Sequence, residues 1–108
     1  RKWTSIEQDN LHKGISIYGV GSWKEIQTNC NLSEWEGSEL STKTKKILGR
    51  QSIASYSGWK GDLKACKKEY EKNKEIGQKL GCWKGGVLVN DVNGKVEKEL
   101  KKYEKQKN

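Results

Sequence analysis

At 108 residues the chain is the size of one domain, with room for a three-helix core and a helical extension but not for a second core. Only 31% of residues are hydrophobic and 33% are charged, and Phe, Met and Pro are absent, so the core must come from a few large side chains, chiefly Trp3, Trp23, Trp35, Trp59 and Trp83. The net charge of +8 is segregated: residues 1–42 carry four basic and six acidic side chains, residues 43–84 twelve and four, and residues 85–108 six and four, which directs a polyanionic partner to the middle third and leaves no apolar run long enough for a membrane span.

The first helix announces itself at Thr4-Ser5-Ile6-Glu7, a capping box in which the Thr hydroxyl takes a backbone N–H three residues on and the Glu reaches back. Leu11, Gly14, Ile15 and Tyr18 continue it as an amphipathic stripe, and Gly19 and Gly21 stop it, so the helix is expected over about Ser5 to Tyr18. Ser22 is the expected cap of a second helix through Trp23 and Ile26 towards Cys30. Residues 31–49, with the turn-prone Gly37-Ser38 and then Lys43, Lys45, Lys46, Ile47 and Leu48, read as an insertion, partly helical.

Beyond Arg50 the apolar residues Ile53, Tyr56, Trp59, Leu63, Cys66 and Tyr70 recur every three or four positions. That period predicts one long helix, kinked or broken near Gly58 and Gly61 and continuing through Ile76 and Leu80. Gly81 to Gly86 is a glycine-rich break, and Val87-Leu88-Val89 is a short apolar run that fits a strand or a packed loop. Val92, Val96, Leu100 and Tyr103 predict a last helix of about 92–105, capped by Asp91.

Trp3-Thr4, Glu7, Leu11, Ile15, Tyr18-Gly19, Trp23 and Ile26 are spaced as in Myb and SANT repeats, and residues 3–26 resemble the first two helices of that homeobox-like helix-turn-helix family. The family's third element, an Arg followed nine residues later by Trp and four later by an aliphatic residue, is matched by Arg50, Trp59 and Leu63. The resemblance implies an all-α fold: a three-helix Myb-like core over residues 1–80 with an insertion at about 31–49. Residues 81–108 would add the glycine-rich break and a C-terminal helix packing on the same domain. It also implies that the tryptophans hold a third helix in the major groove of double-stranded DNA.

On that alignment Ser52, Tyr56, Ser57 and Lys60 fall at base-reading positions, while Lys43, Lys45, Lys46, Arg50, Lys60, Lys64, Lys67 and Lys68 are the expected phosphate contacts. Two departures, the insertion before Arg50 and Tyr56-Ser57 in place of the family's polar Lys-Asn pair, shift the expectation from base readout towards phosphate binding.

Each group also has a plainer reading. Trp3, Trp23 and Trp59 are expected in the core, His12 on the surface, and Trp35 and Trp83 either as partner contacts or as local staples. Cys30, Cys66 and Cys82 are far apart without metal-ligand spacing and read as buried reduced thiols, which fits an intracellular chain that holds no metal or cofactor. With one His and scattered acids no catalytic constellation can be assembled, and the glycines of 81–86 do not match a nucleotide-binding fingerprint. The chain opens at Arg1 rather than Met, so it is expected to be trimmed, with any targeting signal outside it.

The expected function is therefore a non-catalytic nuclear DNA-binding module. It is similar in character to the small Myb-like or homeobox-like accessory subunits of ciliate DNA adenine-N6 methyltransferase complexes, which implies protein subunits as further partners and no membrane. The alternative is a SANT-like interaction domain for histones or a chromatin scaffold. Such domains are usually acidic on the third helix, and this chain is basic after residue 42.

Overall fold

The computed structural model describes residues 2–89 and 93–106. Five α-helices and one short hairpin follow in chain order: α1 (Ser5–Tyr18), α2 (Trp23–Asn29), α3 (Gly37–Leu48), α4 (Leu63–Leu80), strands β1 (Trp83–Lys84) and β2 (Val87–Leu88), and α5 (Lys95–Gln106). The helical class is as expected, and the small sheet is an addition to it. No helix among the described residues is long and apolar enough to cross a membrane.

α1 starts where its cap dictates. The Glu7 backbone N–H donates to the Thr4 hydroxyl at 3.1 Å, and the Thr4 N–H donates to the Glu7 carboxylate at 2.9 Å. Leu11, Gly14 and Ile15 turn inward. Gly14 is what lets α2 lie close, because a Cβ there would sit 2.7 Å from Cγ2 of Ile26. Gly14→Ala is accordingly expected to destabilise the protein by about 1–3 kcal/mol through overpacking, although Ala is the better helix former; denaturant unfolding measures this.

Ser22 does not cap α2 through its side chain; its hydroxyl donates back to the Tyr18 carbonyl at 2.9 Å and fastens the α1–α2 turn. After α2, Asn31 takes a left-handed conformation (φ 57°) and the chain bends so that Leu32 and Trp35 enter the core. α3 follows, burying Leu40, Thr44 and Leu48, with the Thr44 hydroxyl satisfied by the Leu40 carbonyl at 2.8 Å. Leu40 and Leu48 share one core with Leu11, Ile15 and Ile26. The partly helical segment expected at 31–49 thus contains a full helix that contributes to the core.

The long helix expected from Arg50 is absent over 50–62, where only a 3₁₀ turn forms at Ala54–Tyr56. The backbone here spends its hydrogen bonds on the α1–α2 turn: the Val20 N–H donates to the Trp59 carbonyl at 2.9 Å and the Gly58 N–H to the Val20 carbonyl at 2.8 Å. Gly58 holds φ at 80°, which a helix cannot accommodate. Helical structure resumes only at α4, capped by Asp62, whose carboxylate accepts from the Ala65 N–H at 2.9 Å.

β1 and β2 pair antiparallel, Trp83 with Leu88 and Lys84 with Val87, around the two-residue loop Gly85-Gly86. Both loop glycines have positive φ (62° and 80°), the requirement of the tight turn that matches strand twist. The hairpin is docked on the end of α3, the Leu88 N–H donating to the Gly49 carbonyl at 2.8 Å and the Gln51 N–H to the Leu88 carbonyl at 3.0 Å. Ile76, Cys82, Leu88 and Val96 form a second small core, closed by Leu80, Leu100 and Tyr103. The expected cap Asp91 and first residue Val92 of the last helix lie outside the described residues, and α5 runs from Lys95.

The tryptophans divide differently from expectation. Trp3, Trp23 and Trp59 are half-buried at the rim of the core, whereas Trp35 is inside it. Trp35 packs edge-on against Trp3 with ring centroids 4.9 Å apart, and its indole N–H donates to the Glu7 carboxylate. Trp83 packs edge-on against Tyr70 at 5.5 Å and covers Gly49 and Gly77. Both are staples between elements. His12, expected on the surface, is only 9% exposed; burial holds its pKa below the usual value, opposed by Asp9 and assisted by Lys67.

Candidate nucleic-acid interface

The residues expected to meet a polyanion are divided between α3, the irregular 50–62 segment and the first turns of α4. In α3, at 100° per residue, Lys43 and Lys46 lie about 60° apart around the helix and Lys45 and Lys46 about 100° apart. The Lys43 ammonium lies 5.2 Å from the Trp3 ring centroid, a cation–π contact. Lys46 donates to the Gly85 carbonyl at 3.1 Å. Arg50 is half-buried, its guanidinium 5.4 Å from the Tyr56 ring centroid.

Tyr56, placed by the resemblance on a reading face, is 7% exposed, so its hydroxyl cannot reach a base edge. That hydroxyl donates to buried Glu69 at 2.7 Å and accepts from the Asn73 amide at 3.1 Å. The Asn73 amide also donates to the Leu48 carbonyl at 2.7 Å, at the end of α3, and Lys72 donates to Glu69 at 2.7 Å. The proton directions close consistently: both Asn73 amide protons go to acceptors, the phenol proton goes to the carboxylate, and the phenol oxygen receives Asn73. Burial, with Glu69 beside it, pushes the Tyr56 pKa up to about 12. This network ties the 50–62 loop and α3 to α4; it is structural.

Ser52, Ser57 and Lys60 are exposed, but on the irregular 50–62 segment and not on a groove-sized helix. Lys64, Lys67 and Lys68 are exposed on the first turns of α4. α4 turns Cys66, Glu69 and Asn73 inward, and Asn73 reaches α3 on that side. Lys64 and Lys68 therefore look away from α3, on an exposed face they share with Glu71 and Glu75.

A different face is left free by the packing. Opposite Leu40, Thr44 and Leu48, α3 presents Ser38, Thr42, Lys45 and Lys46 within an arc of roughly 100°, with Ser41 at its edge. Ser38, Thr42 and Lys46 are exposed and Ser41 and Lys45 half-exposed. The Thr42 hydroxyl donates to the Ser38 carbonyl at 3.0 Å and keeps its oxygen available as an acceptor. Glu36 and Glu39 sit at the N-terminal end of α3, so the cationic part of the face is its C-terminal half, beside the hairpin and Lys84.

Ser38, Ser41 and Thr42, on this free face, are not among the residues expected from the sequence, because residues 31–49 carry no clear helical stripe there. The available signal was Gly49 immediately after Leu48, with Lys45 and Lys46 in the preceding turn, a helix C-terminus signature. The three cysteines are buried and unpaired, and burial raises the thiol pKa of Cys66 to about 11. Among the described residues no three His, Cys, Asp or Glu side chains gather as a metal site. Neither comparison with protein-family models nor comparison with curated proteins finds a match for this chain.

Proposed function

We propose that α1, α2 and α3 are the Myb-like helix-turn-helix unit of a duplex-DNA-binding module and that α3, not the segment after Arg50, is the helix that enters the major groove. The observation that carries this reading is the outward face of α3, a row of small hydroxyl side chains ending in Lys45 and Lys46 that the core does not use. A major groove about 12 Å wide accepts one helix, and a face built from Ser, Thr and Lys offers phosphate contacts with little base discrimination. The basic C-terminal half of α3 disfavours the alternative of a scaffold for basic histone tails.

A single unit of this kind suits an accessory role: a non-catalytic subunit that brings a nuclear DNA-modifying or chromatin complex to duplex DNA. An adenine-N6 methyltransferase complex is the instance the resemblance suggests. Titration of a fluorescent duplex at low salt tests the DNA reading. Binding is expected, with log affinity falling linearly against log salt at a slope of about −0.9 for each neutralised phosphate. Double-stranded RNA is expected to bind more weakly, because its major groove is too narrow for a helix. No duplex binding at low salt would sink the proposal.

A further inference from the structure

The hairpin has no place in a three-helix unit, yet it is fastened to the end of the α3 face. Leu88 is bonded on both sides to the chain leaving α3, and Lys46, a member of the outward face, donates to the carbonyl of the hairpin tip residue Gly85. Gly49, the C-cap of α3, is so close to Trp83 that a Cβ would lie 2.9 Å from its ring, which fixes the hairpin's position against the helix end. The tip itself faces open space: nothing lies within 4 Å of where a Cβ of Gly85 or Gly86 would stand. Lys84, at the base of the tip, is exposed.

Resting on the reading of α3 as the groove helix, we infer that the β1–β2 hairpin is a second DNA-contacting element, a wing that meets the phosphodiester strand bordering the groove that α3 fills. The geometry follows from sizes. A helix with its side chains is about 10–12 Å across and the major groove about 12 Å wide, so an element one lysine side chain away from the exposed end of that helix meets the groove wall. The wall is a line of phosphates. Lys84 supplies a cation to it, Lys45 and Lys46 supply two more beside it, and the side-chain-free tip allows the backbone to come close. The acidic end of α3, with Glu36 and Glu39, lies at the other end of the helix.

The test exploits the turn. Asn and Asp are both accepted before Gly in this turn type, so Gly85→Asn and Gly85→Asp keep the hairpin while differing by one charge at its tip. In duplex titrations Gly85→Asp is expected to bind about tenfold more weakly than Gly85→Asn. Lys84→Ala is expected to reduce the slope of log affinity against log salt by about one. Lys68→Ala, on the far side of α4, is expected to leave that slope unchanged. Equal affinities for the two Gly85 variants, with wild-type binding retained, overturn the wing and leave α3 as the groove helix. Absence of wild-type binding overturns both.

Discussion

Replacing Thr42 and Lys45 together by Ala is expected to weaken duplex binding by about tenfold to a hundredfold, roughly 1.5–3 kcal/mol, while leaving the unfolding midpoint nearly unchanged. Both side chains stand on the outward face of α3 and neither is part of the buried Leu40–Thr44–Leu48 stripe, so fold and binding separate cleanly. Tyr56→Phe is the informative partner. It removes a hydroxyl that bonds Glu69 and Asn73 in the interior, so it is expected to lower stability yet leave the affinity of the folded protein as it was. If Tyr56→Phe lowered affinity at constant fold while the α3 double variant bound normally, the 50–62 segment would be restored as the contact surface. Fluorescence anisotropy beside denaturant unfolding makes the comparison.

Asn73→Ala is expected to be the most damaging single truncation of a polar side chain, costing about 2–4 kcal/mol. Its amide supplies both protons that α3 and the 50–62 loop need from α4: one to the Leu48 carbonyl, the other to the Tyr56 oxygen. Removing it leaves a buried carbonyl unpaired at the end of α3, at the desolvation cost of an unsatisfied group, and takes from the Tyr56 oxygen the bond it accepts, leaving its hydroxyl held by Glu69 alone. Asn73→Asp is expected to be no better, because a carboxylate would face the Leu48 carbonyl and sit near Glu69. Urea unfolding of both variants measures this, and a loss below about 1 kcal/mol for Asn73→Ala would show that the network is not what holds α3 to α4.

At α1, where the signal is local, sequence and structure agree residue for residue. The Thr4–Glu7 box defines the start of α1 because both of its hydrogen bonds lie within one turn, and the glycines after Tyr18 end it for the same reason. α3 was obscured because its buried stripe has Thr44 at the centre. A Thr reads as polar in sequence, although its hydroxyl is satisfied by the Leu40 carbonyl one turn back and its methyl packs like an aliphatic group. The converse error arose after Arg50. Ile53, Tyr56, Trp59 and Leu63 have helical spacing, but Ile53 and Tyr56 enter the core from a loop whose backbone is bonded to Val20, a partner far away in sequence. The two-residue Gly85-Gly86 loop between short apolar runs was a hairpin signal in its own right, read only as a break.

What the sequence by itself determined is the helical character of the chain, the ends of α1, and the segregation of positive charge after residue 42, all properties of neighbouring residues or of composition. What only the tertiary structure decided is which of those charges share a surface. Lys43, Lys45 and Lys46 are neighbours in sequence, yet Lys43 lies over Trp3 while Lys45 and Lys46 stand on the outward face of α3, Lys46 also reaching the hairpin. Their directions are set by which side of α3 the core claims, and that is settled by contacts with Ile26 and Asn73 that no local pattern encodes.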